Sequence, residues 1–276
     1  MKEFRNFLVD TWEQKTSLLC FGMDPVVERM KIDKSKNLSD EIVNYFSRIM
    51  KEILLKITAV KPNLGFYLQY GNEGINALIR LIEEAKKNEV PVILDGKFSD
   101  IGRTSEAYAK FAFEIAGADA VTLNPYMGYD ALMPFLNYKD KGFYILGLTS
   151  NPGAKDFQYL DVNNSEKLYD RVIESALKWN KENSGVGAVI GATHKEIKRI
   201  LENLSRIENH FPLLIPGVGT QGGSYKELNE ILNKLNYKKG VVRINSSSAI
   251  SYAHENFPGF SYTEAAYLAV EKIMKS

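Results

Sequence analysis

Cysteine is almost missing: Cys20 is the one cysteine in 276 residues. A single thiol excludes an intramolecular disulfide framework and fits a reducing compartment, so a cytoplasmic location is expected. It sits in the apolar stretch Leu18-Leu-Cys-Phe21, where a small buried hydrophobe is the expected role rather than a nucleophile. An excess of either charge is missing too. Lys plus Arg (35) against Asp plus Glu (34) leaves a net +1, which gives no electrostatic basis for a nucleic acid or membrane partner. No apolar run approaches the length that crosses a bilayer. The N-terminus lacks a signal-peptide core, because Phe4, Phe7, Leu8 and Trp12 recur at helical spacing among charges. Low-complexity tracts and Ser/Gly/Pro linkers are missing as well, so residues 1–276 are expected to form one domain. The histidines, His194, His210 and His254, lack metal-ligand spacing. No zinc pattern, P-loop or G-x-S-x-G elbow occurs.

What is present is an alternation. Short apolar runs at 18–22, 57–61, 90–97, 119–123, 143–148, 186–190, 212–216 and 240–244 are separated by helical patterns. The clearest pattern spans 166–182, where Leu168, Val172, Ile173, Ala176 and Leu177 form one stripe. Eight such runs predict parallel strands buried on both faces. An open doubly wound sheet is the alternative to a closed barrel. The residues just past each run favour an α/β fold of (β/α)8 (TIM barrel) type, with an extra N-terminal helix. Gly22-Met-Asp24-Pro, Lys61-Pro-Asn, Asp95-Gly-Lys97, Thr149-Ser150-Asn-Pro and Asn245-Ser-Ser-Ser248 all crowd the C-terminal ends, which form the catalytic face of a barrel.

The most chemically loaded stretch is Asp95-Gly-Lys97-Phe-Ser-Asp100. On a regular strand, residues two apart share a face, so Asp95 and Lys97 should point together. Adjacent strands lie about 5 Å apart, so Asp24, Lys61, Asp95 and Lys97 can meet at one mouth. Alternating signs would hold the lysines protonated, placing a proton donor beside developing negative charge. A buried ion-pair network tying strands together is the plainer alternative. Asp100 lies past the strand, and it or Thr104 could cap the next helix or serve a neighbouring subunit. Pro216-Gly-Val-Gly219-Thr-Gln221-Gly-Gly precedes a helical pattern from Tyr225. A glycine nest there suits phosphate, as does Ser246-Ser247-Ser248 after run eight.

Together these motifs resemble orotidine 5′-phosphate decarboxylases, particularly their longer bacterial-type branch. The resemblance runs through essentially the whole barrel. It rests on Phe21-Gly-Met-Asp24-Pro, Lys61-Pro-Asn-Leu-Gly-Phe-Tyr, Leu94-Asp-Gly-Lys-Phe-Ser-Asp-Ile101 with Thr104, Thr149-Ser-Asn-Pro and the 216–223 glycine loop. The D-x-K-x-x-D core alone is shared with sugar-phosphate lyases of the same superfamily. The resemblance implies a homodimer with shared active sites that converts orotidine 5′-phosphate to uridine 5′-phosphate and CO2 in pyrimidine biosynthesis, without metal or organic cofactor. It implies Lys97 as proton donor to C6, Asp95 beside the substrate carboxylate, Lys61 linking the array to the ribose and Asp24 on the sugar. Asp100 and Thr104 would reach the partner's site. Ser150 would read the pyrimidine edge, and Pro216 and Gln221 would line the base, with Gln221 also at the phosphate. The segment 150–160 is a candidate mobile cover. A phosphosugar lyase or aldolase and a non-catalytic nucleotide-binding barrel are the competing functions.

One position departs from the family pattern. Where the resemblance leads one to expect Arg in the loop after strand eight, this chain has Ser248. Arg243 lies five residues upstream, about 16 Å along an extended strand, too deep to stand in. The expectation is therefore a phosphate site made of loop amides including Gly219, Gln221, the Ser247 and Ser248 hydroxyls, and a cation from another loop, Arg103 or Lys155.

Overall fold

Each apolar run folds as a strand. In the computed structural model, which describes residues 3–163, 166–207, 211–219 and 222–276, the strands are β1 Leu19–Met23, β2 Ala59–Pro62, β3 Ile93–Phe98, β4 Ala120–Leu123, β5 Gly142–Leu148, β6 Val186–Ile190, β7 Leu213–Pro216 and β8 Val242–Ser246. Pairing is parallel throughout, in the order β2-β1-β8-β7-β6-β5-β4-β3. Parallel bridges Val60–Val92 and Asn63–Asp95 join β2 to β3 and close the ring. This is a (β/α)8 TIM barrel.

The helices explain why the strand runs are apolar on both faces. After α1 (Phe4–Lys15), the crossover helices α2 Leu38–Glu52, α3 Gly71–Lys87, α4 Gly102–Lys110, α5 Tyr129–Leu136, α6 Leu168–Glu182, α7 Ile197–Ser205, α8 Tyr225–Lys234 and α9 Tyr262–Lys275 surround the ring. Their inward stripes, such as Ile42, Phe46 and Ile49 of α2, pack on the outer strand faces. The inner faces fill the lumen with Cys20, Ala59, Ile93, Ala120, Tyr144, Val189 and Leu214. Burial pushes the Cys20 thiol up to about 12, so it is a packing group, as the sequence suggested.

The extra helix α1 stoppers the base. Phe4 and Leu8 join the lumen cluster, and Phe4 meets Tyr144 edge-on at 6.0 Å. Arg243 is fully buried there. Its guanidinium donates to the carbonyls of Thr58 (3.2 Å), Gly240 (3.0 Å), Val242 (2.8 Å) and Leu8 (2.6 Å) and to Thr11 Oγ1 (3.0 Å). It points away from the mouth, as its depth in β8 implied.

Two local expectations need correction. The helical stripe of 166–182 begins at Leu168, because Glu166–Lys167 pairs antiparallel with Asp161–Asn163. Neither Asp100 nor Thr104 caps α4. The N-cap residue is Ile101, in extended conformation and with no side-chain cap. Among the described residues no helix is long and apolar enough to cross a membrane.

Candidate active site

The centre of the mouth is a break in β3. Its pairing with β4 shifts register between Leu94 and Phe98, and Lys97 takes a left-handed φ of 46°. Such a conformation in a non-glycine residue costs of order 1–3 kcal/mol and must be held by its surroundings. Thr122 of β4 holds it. The Lys97 amide donates to Thr122 Oγ1 at 2.9 Å, and that hydroxyl donates to Asp95 Oδ1 at 2.8 Å. Asp95 and Lys97 thus converge through a bulge, rather than through the regular pleat expected from their spacing.

Asp95 is the hub. Lys97 Nζ lies 2.7 Å from Oδ1, and Lys61 Nζ lies 2.8 Å from Oδ2. The Asp95 and Lys61 side chains are 9% and 6% exposed, whereas that of Lys97 is 49% exposed. The array is therefore anchored at Lys61 and open at Lys97. Burial pushes the Asp95 carboxyl upward, but the Lys61 and Lys97 ammoniums outweigh it and hold the group below the usual carboxylate range. Burial likewise pushes Lys61 down. The Asp95 and Asp24 carboxylates reverse that and leave its ammonium above the usual lysine range.

Two adjoining chambers share Lys61 and Pro216 as walls. One, about 230 Å³, is lined by Asp95, Lys97 and Thr122 and by Ser150 of the β5 loop. The other, about 340 Å³, contains Asp24, Ser247, Ser248, Gly217 and Arg29. Asp24 is fixed by the Asn63 amide (3.2 Å) and by the Ser247 hydroxyl (2.6 Å). Ser247 is thus a support for Asp24, a role its expected place at a phosphate did not suggest. Gly22 permits this approach, since a Cβ there would fall 2.5 Å from Ser247 Cβ.

The glycine loop curls as its sequence suggests, with left-handed φ at Gly217 (100°), Gly219 (95°) and Gly222 (91°). The Gly219 amide makes a long bond of 3.4 Å to the Gly223 carbonyl. Gln221, expected at the base and phosphate, lies outside the described residues. At the end of β8, Asn245 Oδ1 and Ser246 Oγ are buried with no hydrogen-bond partner among the described residues.

The loop carrying Ser150 is braced by Gln158, which the sequence did not single out, and by His194, for which a surface or supporting role was the favoured expectation. Gln158 accepts from the Thr149 amide and donates to the Thr149 hydroxyl, both at 2.8 Å. His194 Nε2 lies 2.7 Å from the Thr149 carbonyl, and its Nδ1 lies 3.0 Å from the Tyr159 hydroxyl. His194 supports the mouth from behind.

Asp100 and Thr104 line neither chamber of their own mouth. They lie on a rim where Ile101, Tyr126, Met127 and Met133 are exposed. Arg103 and Lys155, expected as substitute cations, are exposed and also line neither chamber. The 340 Å³ chamber is lined instead by Arg29, which the sequence did not single out. Thr122 was missed as well, because a threonine in a strand reads as an ordinary β-former. No group of three or more His, Cys, Asp or Glu side chains suited to a metal ion occurs among the described residues.

The orotidine 5′-phosphate decarboxylase / HUMPS family profile matches residues 17–256. The orotidine 5′-phosphate decarboxylase of Thermomicrobium roseum is 41% identical over 222 residues, covering 80% of this chain and 77% of that one. That of Phocaeicola vulgatus is 37% identical, covering 97% of each. Among solved structures, the Leishmania donovani OMP decarboxylase superposes with a TM-score of 0.75 at 30% identity, covering 99% of both chains. A Toxoplasma gondii structure described as a putative orotidine-monophosphate decarboxylase gives 0.77 at 31% identity, covering 100% of this chain and 99% of that one. With its barrel, its Lys61–Asp95–Lys97 array and a match over most of its length, this chain belongs to the orotidine 5′-phosphate decarboxylase / HUMPS family.

Proposed function

We propose that this protein decarboxylates orotidine 5′-phosphate to uridine 5′-phosphate, with Lys97 as the proton donor and no metal or organic cofactor. The observation that carries the reading is the polarity of the array: a buried, doubly paired Asp95 presenting the half-exposed Lys97 ammonium to the chamber. Breaking the bond between C6 and the carboxylate carbon releases CO2 and leaves the electron pair on C6, where no adjacent carbonyl delocalises it. An ammonium fixed at that carbon stabilises the pair and then donates its proton to it. Lys97 is left neutral and regains a proton from solvent. The Asp95 carboxylate, held ionised, would lie against the departing carboxylate. Ser150, which lines this chamber, would read the pyrimidine edge, and Asp24, in the other, would bind the ribose. Phosphate binding at the second chamber would hold the substrate while the 150–160 segment covers it, so that remote binding energy acts on the transition state.

The test is the ultraviolet absorbance change of orotidine 5′-phosphate incubated with the protein and a chelator. Conversion should survive chelation and fall by about 10⁴-fold or more in Lys97→Ala. A folded protein that gives no conversion would overturn the assignment. A homodimer is part of the proposal: among the described residues Asp100 and Thr104 line neither chamber of their own mouth, so they would complete a partner's. Mixing Lys97→Ala and Asp100→Ala subunits should then restore about a quarter of wild-type activity, as random pairing leaves one intact site in half the dimers. Subunit exchange without recovery would refute sharing.

A further inference from the structure

We propose that Arg29, delivered from the turn after β1, is the cation that grips the 5′-phosphate in this chain, in place of an arginine at position 248. The inference rests on the reading of the substrate as orotidine 5′-phosphate and assigns the group that recognises its charged end.

The placement of Arg29 is built. The turn Val27–Arg29 is tied down by the Val26 amide donating to the Tyr252 hydroxyl (2.7 Å) and the Val27 amide donating to the Tyr70 hydroxyl (3.1 Å). The Arg29 guanidinium carbon lies 4.1 Å from the centroid of the Tyr252 ring, a stacked cation–π position. The Tyr252 amide in turn donates to the Ser248 carbonyl at 3.1 Å. Tyr252 is therefore one helical turn, about 5.4 Å, from the position where the cation is missing. Arg29 lines the same chamber as Ser248, Gly217 and Val218.

Its donors also fit. Glu255 accepts from Nε at 2.9 Å and from Nη2 at 2.6 Å, which occupies two of the five guanidinium N–H groups. Among the described residues none accepts from Nη1. The Arg29–Glu255 pair is 39% and 40% exposed, and a half-exposed pair of this kind yields readily to a dianion able to take a bidentate bond. Before the ligand binds, Glu255 sets the plane of the guanidinium. Among the described residues, Lys61 is the other cation that lines this chamber. It is bonded to Asp95, and Arg243 to the barrel base. Asn245, whose Oδ1 has no partner among the described residues, lines the same chamber; that oxygen accepts only, so it suits a donor on the ligand other than the phosphate.

The experiment compares calorimetric affinities for uridine 5′-phosphate and uridine with orotidine 5′-phosphate turnover, in wild type, Arg29→Met, Ser248→Arg and the double variant. Arg29→Met should weaken the nucleotide about 10–100-fold while leaving uridine within about 2-fold. It should lower kcat/KM for orotidine 5′-phosphate in step. Ser248→Arg should restore most of the loss in the Arg29→Met background and add little to wild type. If the Met variant loses its fold, Arg29→Gln replaces it, with uridine binding as the control for structure. Unchanged nucleotide affinity in a folded variant, or an equal gain from Ser248→Arg in both backgrounds, would overturn the proposal. A wild type that binds the nucleotide through Arg29 without turnover would overturn the decarboxylase reading alone. A wild type that binds neither compound would overturn both.

Discussion

Lys61 and Arg243 are both buried cations, and the barrel holds them at opposite ends by opposite means. Lys61, at the mouth, is compensated by charge: Asp95 at 2.8 Å and the nearby Asp24 raise its pKa despite burial. Arg243, at the base, has dipoles only. Its partners are four carbonyls and a hydroxyl, and burial pulls it down to about 10. Charge against charge leaves a polarised cluster that a substrate can enter. Charge against dipoles saturates every donor direction and fastens α1 to β8 and to the residue that precedes β2. The same type of group thus serves chemistry at one end and closure at the other, and the neighbours decide which.

The same substitution at both sites should separate the roles. Lys61→Met is expected to lower kcat/KM for orotidine 5′-phosphate about 10²–10³-fold, since Asp95 loses a partner and Lys97 its alignment. Steady-state assays check this. Arg243→Met should instead lose about 2–4 kcal/mol of stability by denaturant titration, from the carbonyls it leaves unsatisfied, with turnover of the folded fraction within about 2-fold. Equal activity losses at both positions would break the comparison. Thr122→Val should cost about 10–100-fold in kcat, because the Lys97 amide and one Asp95 oxygen both lose their partner at a strained residue. Unchanged kcat would show that the bulge holds itself.

The smallest effect is on pH dependence. The Asp95 pKa is depressed from an ordinary 3.8, so its contribution to stability is present above that value and is lost as pH falls through the lower folded value. The Lys61 pKa is raised from 10.5, so its contribution is present below that and is lost as pH rises through the higher folded value. The pair should therefore stay ionised between those limits. Stability of the wild type and of Lys61→Met should run parallel between about pH 5 and 9. Divergence inside that range would show that the array titrates.

The barrel was legible because its signal repeats. Run 186–190 matches β6 to the residue, and the others fall within a few residues. Asp24, Lys61, Asp95 and Lys97 were legible because strand ends carry few charges without reason. The bulge was not, since nothing in Asp-Gly-Lys specifies a left-handed lysine. Its support, Thr122, lies 25 residues away. Arg29 was hidden for a related reason. Its stacking partner Tyr252 and its carboxylate Glu255 are more than 220 residues distant, and only the closure of β1 onto β8 brings them together. Ser247 read as a phosphate ligand because a hydroxyl after strand eight has no visible alternative until Asp24 arrives from β1.

The bond from Arg243 to the Leu8 carbonyl spans 235 residues. On the ribosome, α1 is made long before its fastener, so the helix and the lumen lining it covers must wait through most of translation. Closure of such non-local contacts is slow, and the open intermediate exposes strand edges. Nascent chains that stop short of β8 should therefore be the ones that engage chaperones and proteases, however complete their reaction chamber.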